Sequence, residues 1–244
     1  IRYQPRSRGL GDVYKRQLLD LLEPRVESSR LIDSVITNGE RWWSRRCEVC
    51  CTDEGMACDP ASPAAVAAIV QGATALESRD QMLELIAGPP LVEQPALLAR
   101  LIETSDLVSQ LDPADRPRRM QHLVADVLGT RLHVDEAIEL VALAAEVPAR
   151  DAAWESMDLE NAEHHLELWR QVLDHAPRSH AVPVLCLAAS AAWLSGNGAL
   201  MGCCLERGLG IDPDHSMLQL LAQVHQRSLA PTLWQRMKQS WSGR

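Results

Sequence analysis

Apolar residues recur every three or four positions through most of the chain after residue 61, which is the spacing of amphipathic α-helices. Helix boundary signals accompany the pattern. Ser62-Pro63 combines an N-cap residue with proline at the first helical position, and residues 78–81 form a capping box. Gly88-Pro89-Pro90 ends the second predicted helix, and Gly129 caps the fourth. The third helix is centred on Leu97, Leu98, Leu101 and Ile102, the fourth on Met120, Leu123, Val124 and Val127, and later helices are predicted over residues 135–147, 158–176, 182–194, 199–209, 216–224 and 231–241.

One segment, residues 31–44, has an extended pattern instead. Val35 and Ile36 are β-branched, Asn38-Gly39 is a tight hairpin signal, and Trp42 and Trp43 continue the pattern after it. A lone hairpin is marginal in water, and we expect residues 47–63 to be a loop with no further strand after them. We therefore predict that the hairpin is the remnant of an N-terminal α/β domain whose other strands precede this chain.

Two of the later helices end alike, 36 residues apart. LWRQVLDHAP ends at Pro177 and CCLERGLGIDP ends at Pro213, and the following helices align as well, with Val182 matching Leu218 and Leu185 matching Leu221. The spacing resembles that of tetratricopeptide repeats, whose period is near 34. An antiparallel helical bundle explains the same pattern. The predicted fold class is mainly α, with a multi-helix C-terminal region that is partly tetratricopeptide-like.

The first seventeen residues differ from the rest of the chain. SRGLGDVYKRQ, residues 7–17, resembles the translation of a transposon-based sequencing adapter. Tyr3, Tyr14 and Lys15 lie in this segment, whereas the remaining 227 residues contain no Tyr or Phe and one Lys, which is the bias of a GC-rich genome. We expect residues 1–17 to be an artefact that replaces the true N-terminal portion.

The charge of the chain changes once residues 1–17 are set aside. They hold five basic side chains and one acidic one, so the remainder has 19 basic and 32 acidic side chains and a net charge of −13. This acidity argues against nucleic acid as a partner. There is no uncharged apolar run of membrane-spanning length, so we expect no membrane insertion. Seven unevenly distributed cysteines favour a cytoplasmic protein over a secreted disulfide framework.

Four cysteines fall in one short loop, at Cys47, Cys50, Cys51 and Cys58. Two thiolates in a CxxC spacing can bind one tetrahedral zinc ion, and either of the other two cysteines could be a third ligand. No second CxxC and no nearby histidine supplies a fourth. A redox pair, a local disulfide or weakly bonded thiols remain alternatives, so zinc is a possible cofactor rather than an established one.

Trp42 and Trp43 will point to opposite faces if their segment is a strand. One is then a core residue, and the other covers a helix or forms the rim of a ligand pocket. Glu163, His164 and His165 are residue types that can bind a metal ion. The HExxH motif is absent, however, and pairing of Glu160 with His164 on a solvated helix face explains the same residues. Phosphate-binding glycine motifs and the GxSxG motif are absent as well, so we predict no catalytic or cofactor-binding residues in this chain.

A set of short motifs spread over most of residues 18–231 is characteristic as a whole. The motifs are Arg41–Ser44, Cys50-Cys51, Glu54-Gly55, Asp59–Pro63, Arg150–Trp154, Glu160–Ala162, Leu166–Trp169, Ala191–Leu194, Gly196, Gly198–Leu200 and Asp212-Pro213. In these motifs the chain resembles an uncharacterised actinobacterial family, domain of unknown function 4192. The resemblance implies an N-terminal α/β part followed by helices. The family has no established activity, so no catalytic residue follows from it.

The predicted organisation has four parts: the artefact at 1–17, the α/β remnant with the cysteine loop at 18–60, a helical region at 61–156 and a tetratricopeptide-like region at 157–244. The function is unknown. We expect a non-catalytic interaction or regulatory protein whose partner is a protein or peptide. The alternative is an enzyme or small-molecule-binding protein whose site lies in the missing α/β half, with Trp42, Trp43 and the cysteine loop at its rim.

Overall fold

The computed structural model describes residues 35–37, 40–44, 55–59, 61–63, 66 and 79–242. The chain divides into two compact units, Ile1–Glu77 and Ser78–Arg244. The first contains the described strands and the second contains the described helices from residue 79 onward. The predicted artefact at 1–17 lies outside the described residues and stays a prediction. The bounds of the four predicted parts stay predictions as well.

The described part of the first unit is a small antiparallel sheet in the order β1-β2-β3. Its strands are β1 (Val35–Thr37), β2 (Arg41–Ser44) and β3 (Met56–Ala57). Thr37 pairs with Trp42, and Trp42 in turn pairs with Met56. The predicted hairpin is therefore confirmed.

The expectation that no strand follows the hairpin is wrong, because β3 lies within the predicted loop and pairs with β2. Gly55 precedes it with φ +73, a conformation that favours glycine. A β-carbon on Gly55 would lie 2.4 Å from the Trp43 ring, so only glycine lets the backbone pass there. Arg41 donates from Nη1 to the Gly55 carbonyl at 3.1 Å and holds the returning chain against β2.

The second unit is helical, as predicted. Its α-helices are α1 (Arg79–Glu84), α2 (Gln94–Gln110), α3 (Arg116–Val127), α4 (Val134–Ala145), α5 (Val147–Glu155), α6 (Ala162–Leu173), α7 (Ala181–Leu194), α8 (Gly198–Ile211), α9 (Ser216–Gln226) and α10 (Thr232–Ser242), with a 3-10 turn at Arg178–His180.

Helix α7 lies at the centre of this unit. Every residue of α7 except Pro183 is buried, and the helix packs against α4, α5, α6, α8 and α9. A helix that is apolar all round needs neighbours on every side, and Ala188, Ala189 and Ala192 let those neighbours approach closely. The core therefore surrounds α7, and the amphipathic helices turn their charged faces outward.

Two helix boundaries differ from the prediction. The helix predicted over 135–147 ends at Ala145, and a separate helix, α5, begins at Val147. Glu146 between them is extended, and Pro148 lies in the first turn of α5, where its missing N–H costs nothing. Asp158 does not cap α6. It accepts from Asn161 N at 2.9 Å and shapes the turn before Ala162.

No described helix is both long enough and apolar enough to cross a membrane.

Candidate functional site

A cleft of about 720 Å³ lies between the connection from α3 to α4 and the exposed face of α6. The wall that α6 forms consists mostly of polar residues. The lining comprises Gly129, Thr130, Arg131, Leu132, Val134, Glu163, His164, Glu167, Leu168, Arg170, Gln171, Asp174 and His175.

The connection is shaped by the end of α3. Gly129 has φ +80, and Thr130 turns back to donate from both its N–H and its hydroxyl to the carbonyl of Val127, at 3.0 and 2.8 Å. A β-carbon on Gly129 would lie 3.8 Å from Cδ2 of His164 on the opposite wall. The predicted glycine cap thus also sets the width of the cleft at this end.

Gln171 ties the two walls together. Its Oε1 accepts from Leu132 N at 3.0 Å, and its Nε2 donates to Glu167 at 3.1 Å. Glu167 also binds Arg170 through two hydrogen bonds of 3.0 Å each. Fork-to-fork pairing of this kind fixes side-chain geometry as well as adding energy. The floor of the cleft is therefore a connected network rather than a set of free side chains.

Charges of both signs face the cleft. Partial desolvation raises the pKa of Asp174, while Arg170 and His175 act in the opposite direction. The hydrogen bond to Glu167 raises the pKa of Arg170. The lining contains no Ser or Cys, and the one hydroxyl, that of Thr130, donates to Val127. This arrangement suits the binding of polar groups, and the described lining offers no activated nucleophile.

The described cysteines of the helical unit are not activated either. Burial raises the pKa of Cys186 to about 12 and that of Cys204 to about 12, and it raises the pKa of Cys203 as well. Cys186 Sγ lies 3.6 Å from Nδ1 of His215, and burial together with nearby Arg150 lowers the pKa of that histidine. A neutral thiol beside a neutral imidazole forms a hydrogen bond rather than an activated thiolate–imidazolium pair.

His165 is the buried residue of the run Glu163-His164-His165, and the sequence analysis assigned it no position. It is 1% exposed, its Nδ1 has no hydrogen-bond partner among the described residues, and burial lowers its pKa to about 4. The sequence did contain the signal, because His165 precedes Leu168 and Trp169 by three and four residues, on the apolar stripe of α6.

The residues predicted to form a site fall in the first unit. Cys47, Cys50 and Cys51 lie outside the described residues. Cys58 is an exposed free thiol just after β3, 3.8 Å from Oγ1 of Thr37. Trp42 and Trp43 are both half-buried on β2, and the ring of Trp43 packs over Gly55.

A zinc site at these cysteines stays a prediction. Among the described residues, no group of three or more His, Cys, Asp or Glu side chains is placed to hold a metal ion.

Comparison with known proteins identifies the family of this chain. No curated protein matches the chain, and no solved structure matches it. The family model described as Domain of unknown function (DUF4192) matches residues 4–232. This match extends beyond the residues 18–231 over which the resemblance was seen, and the adapter origin of 1–17 stays a prediction. Because the match covers nearly the whole chain, the protein belongs to the DUF4192 family, a domain of unknown function.

Proposed function

We propose that this protein is a non-catalytic interaction or regulatory protein, and that its helical unit binds a peptide or protein segment in the cleft beside α6. The observation that carries the proposal is the combination of a cleft of about 720 Å³ with a polar, hydrogen-bonded lining. The thiols of Cys186, Cys203 and Cys204, by contrast, are buried and have raised pKa values. Such a surface provides recognition without a reactive group.

The spacing of the last helices supports the same proposal. Helices α6 and α8 begin 36 residues apart, at Ala162 and Gly198, and α7 and α9 begin 35 residues apart, at Ala181 and Ser216. Stacked helical hairpins of this period commonly present a concave surface to extended peptides. We place the protein in the cytoplasm, because the four described cysteines are free thiols. The net acidity of the chain disfavours nucleic acid as the partner.

A second proposal concerns the first unit. The sheet brings Cys58, which follows β3, to the side of the strand that carries Trp42 and Trp43. A small-molecule or enzyme site of an α/β domain would then have these residues at its rim, with zinc stabilising the cysteine loop. Elemental analysis of the purified protein tests the zinc, and a family member without acid/base or phosphate-binding motifs would argue against the enzyme.

Peptide selection followed by site-directed crosslinking tests the first proposal. Peptides are selected from a random displayed library against the full chain, and a photo-crosslinking residue is then placed at His164 in the cleft or at Glu103, an exposed position on α2. We expect crosslinks at His164 and none at Glu103. We also expect at least about tenfold weaker binding when Gln171 is replaced by alanine, since that releases the loop from α6. Peptides that bind equally well to this variant, or a selection without binders, would refute the proposal.

A further inference from the structure

The face of α6 that lines the cleft carries four charged side chains in one row, Glu163, Glu167, Arg170 and Asp174. Each follows the one before it by three or four residues, so all four lie on the same face of the helix, about one turn apart. The first and the last are eleven residues apart, which is about three turns and about 16 Å along the helix axis. The row therefore runs along the whole of α6.

The two middle members of the row compensate each other. Arg170 donates to both carboxylate oxygens of Glu167 at 3.0 Å, and Gln171 donates to the same carboxylate at 3.1 Å. Glu163 and Asp174 are exposed, and neither forms an ion pair or a side-chain hydrogen bond among the described residues. The cleft therefore has one uncompensated carboxylate near each of its two ends.

Asp174 lies where a carboxylate is unfavourable. It is the C-cap of α6, and the last carbonyls of a helix carry partial negative charge, which favours a cation and disfavours an anion. Arg170, one turn earlier, is bound to Glu167 and forms no ion pair with Asp174. A cationic group of a ligand would stabilise this end of the cleft by binding both the carboxylate and the helix terminus.

The opposite wall contributes one cation between these two ends. Arg131 lies on the connection between Gly129, which passes His164, and Leu132, whose N–H donates to Gln171. Arg131 is exposed and forms no ion pair with a carboxylate among the described residues. It therefore repels a positive charge in the middle of the cleft, where the α6 wall has its compensated pair.

We propose that the cleft selects a peptide segment with two basic side chains about five residues apart, because an extended chain rises about 3.3 Å per residue and five residues then span the row. Glu163 binds one basic side chain and Asp174 binds the other. Arg131 disfavours a continuous basic run between them. This inference rests on the proposed peptide binding and names the chemistry of the peptide. The net charge of −9 of the chain adds long-range attraction for such a partner.

Peptides selected from a random displayed library against the full chain test the spacing. Among peptides that crosslink at His164, we expect enrichment of Lys or Arg pairs about four to six positions apart, since long side chains tolerate a shift of one residue. Moving one of the two basic residues next to the other, at constant composition, should weaken binding about threefold, because one ion pair is lost.

The double variant Glu163→Gln/Asp174→Asn tests the two carboxylates, because it keeps the size of both side chains and removes their charges. It should bind the selected peptides about tenfold more weakly, and added NaCl should weaken its binding less than that of the unaltered chain. The matched control is Glu103→Gln/Asp106→Asn, which removes two exposed carboxylates from α2, outside the cleft. Its affinity should stay within about twofold of the unaltered chain.

The outcomes separate this inference from the proposed function. Peptides that crosslink at His164 but bind the double cleft variant as tightly as the unaltered chain would overturn the charge selection and leave peptide binding in the cleft intact. An equal loss of affinity in the α2 control would also overturn it, because the attraction would then come from the overall charge. A selection without binders, or crosslinks only outside the cleft, would remove both proposals.

Discussion

The indole rings of Trp154 on α5 and Trp234 on α10 stack on each other, with centroids 4.6 Å apart and planes inclined by 19°. Trp234 is 1% exposed and donates from Nε1 to the carbonyl of Met157 at 2.9 Å. Lys238, one turn later, donates to the same carbonyl at 3.1 Å. This contact joins the last helix to a turn about 80 residues earlier in the chain, so the order of α10 depends on it.

Truncation of Trp234 to alanine should therefore destabilise the helical unit. Removing a fully buried tryptophan costs about 3–5 kcal/mol, which urea unfolding followed by circular dichroism will measure. Trp234→Phe should cost less, because it keeps a ring beside Trp154, although it loses the hydrogen bond to Met157 and part of the buried ring volume. Leu220→Ala is the control, since Leu220 is 48% exposed and its removal should change the stability by less than about 0.5 kcal/mol. A loss in Trp234→Ala no larger than in that control would contradict the assigned packing.

Cysteine reactivity should separate Cys58 from the thiols of the helical unit. Cys58 is exposed, whereas Cys186, Cys203 and Cys204 are buried and have raised pKa values, so little thiolate forms at these three positions. Peptide-resolved alkylation with iodoacetamide at pH 8 should modify Cys58 within minutes and the other three only in denaturant. Rapid labelling of Cys186 in the folded protein would show that α7 is not the buried centre of the unit.

The sequence predicted those helices whose apolar stripe contrasts with a charged face. Helices α2, α3 and α9 have such stripes, and each appears close to its predicted position. Helix α5 was not predicted, because its buried residues are three alanines and Arg150, which give little contrast. Strand β3 has only Met56 and Ala57 and owes its conformation to hydrogen bonding with β2 rather than to β-propensity.

The cleft and the passage of Gly88 beside Arg207 depend on contacts that no local pattern encodes. The cleft is closed by Leu132 N donating to Gln171, 39 residues away. Gly88 lies beside the Arg207 side chain only after α1 and α8 have packed. In the sequence these residues are ordinary parts of a helix, a turn and a loop. Local sequence signals predicted only the turn residues among them, such as Gly88 at the end of a helix.

Two glycines of α8 should respond in opposite directions to alanine. A β-carbon on Gly208 would lie 2.7 Å from Cδ1 of Leu218, which is fully buried on α9. Gly208→Ala should therefore cost about 1–3 kcal/mol through overpacking. A β-carbon on Gly210 would meet nothing within 4 Å, so Gly210→Ala should stabilise the helix by about 0.5–1 kcal/mol. Equal effects of the two substitutions in urea unfolding would refute the α8–α9 packing.

His165 should make the stability of the protein depend on pH. Burial lowers its pKa from 6.5 to about 4, with Asp158 opposing this shift and His164 and Lys238 adding to it. The folded protein thus keeps this histidine neutral at pH values where the unfolded chain protonates it. Unfolding then takes up a proton between about pH 6.5 and pH 4. The contribution of neutral His165 to stability is complete above pH 6.5, is lost as the pH falls through this window, and changes no further below about pH 4.

Replacing His165 by leucine should remove this part of the pH dependence. Between pH 7 and pH 4, protonation of this residue should lower the free energy of unfolding of the unaltered protein by about 3 kcal/mol. Over the same range, the free energy of unfolding of His165→Leu should fall by about 3 kcal/mol less. Chemical denaturation at half-unit pH steps measures both profiles. His164→Gln is the matched control, because His164 is the adjacent residue but is exposed in the cleft, and its profile should follow that of the unaltered protein. If the leucine and glutamine variants lose stability equally between pH 7 and pH 4, the acid sensitivity arises elsewhere, and His165 is not the neutral, buried group that its place on the apolar stripe of α6 implies.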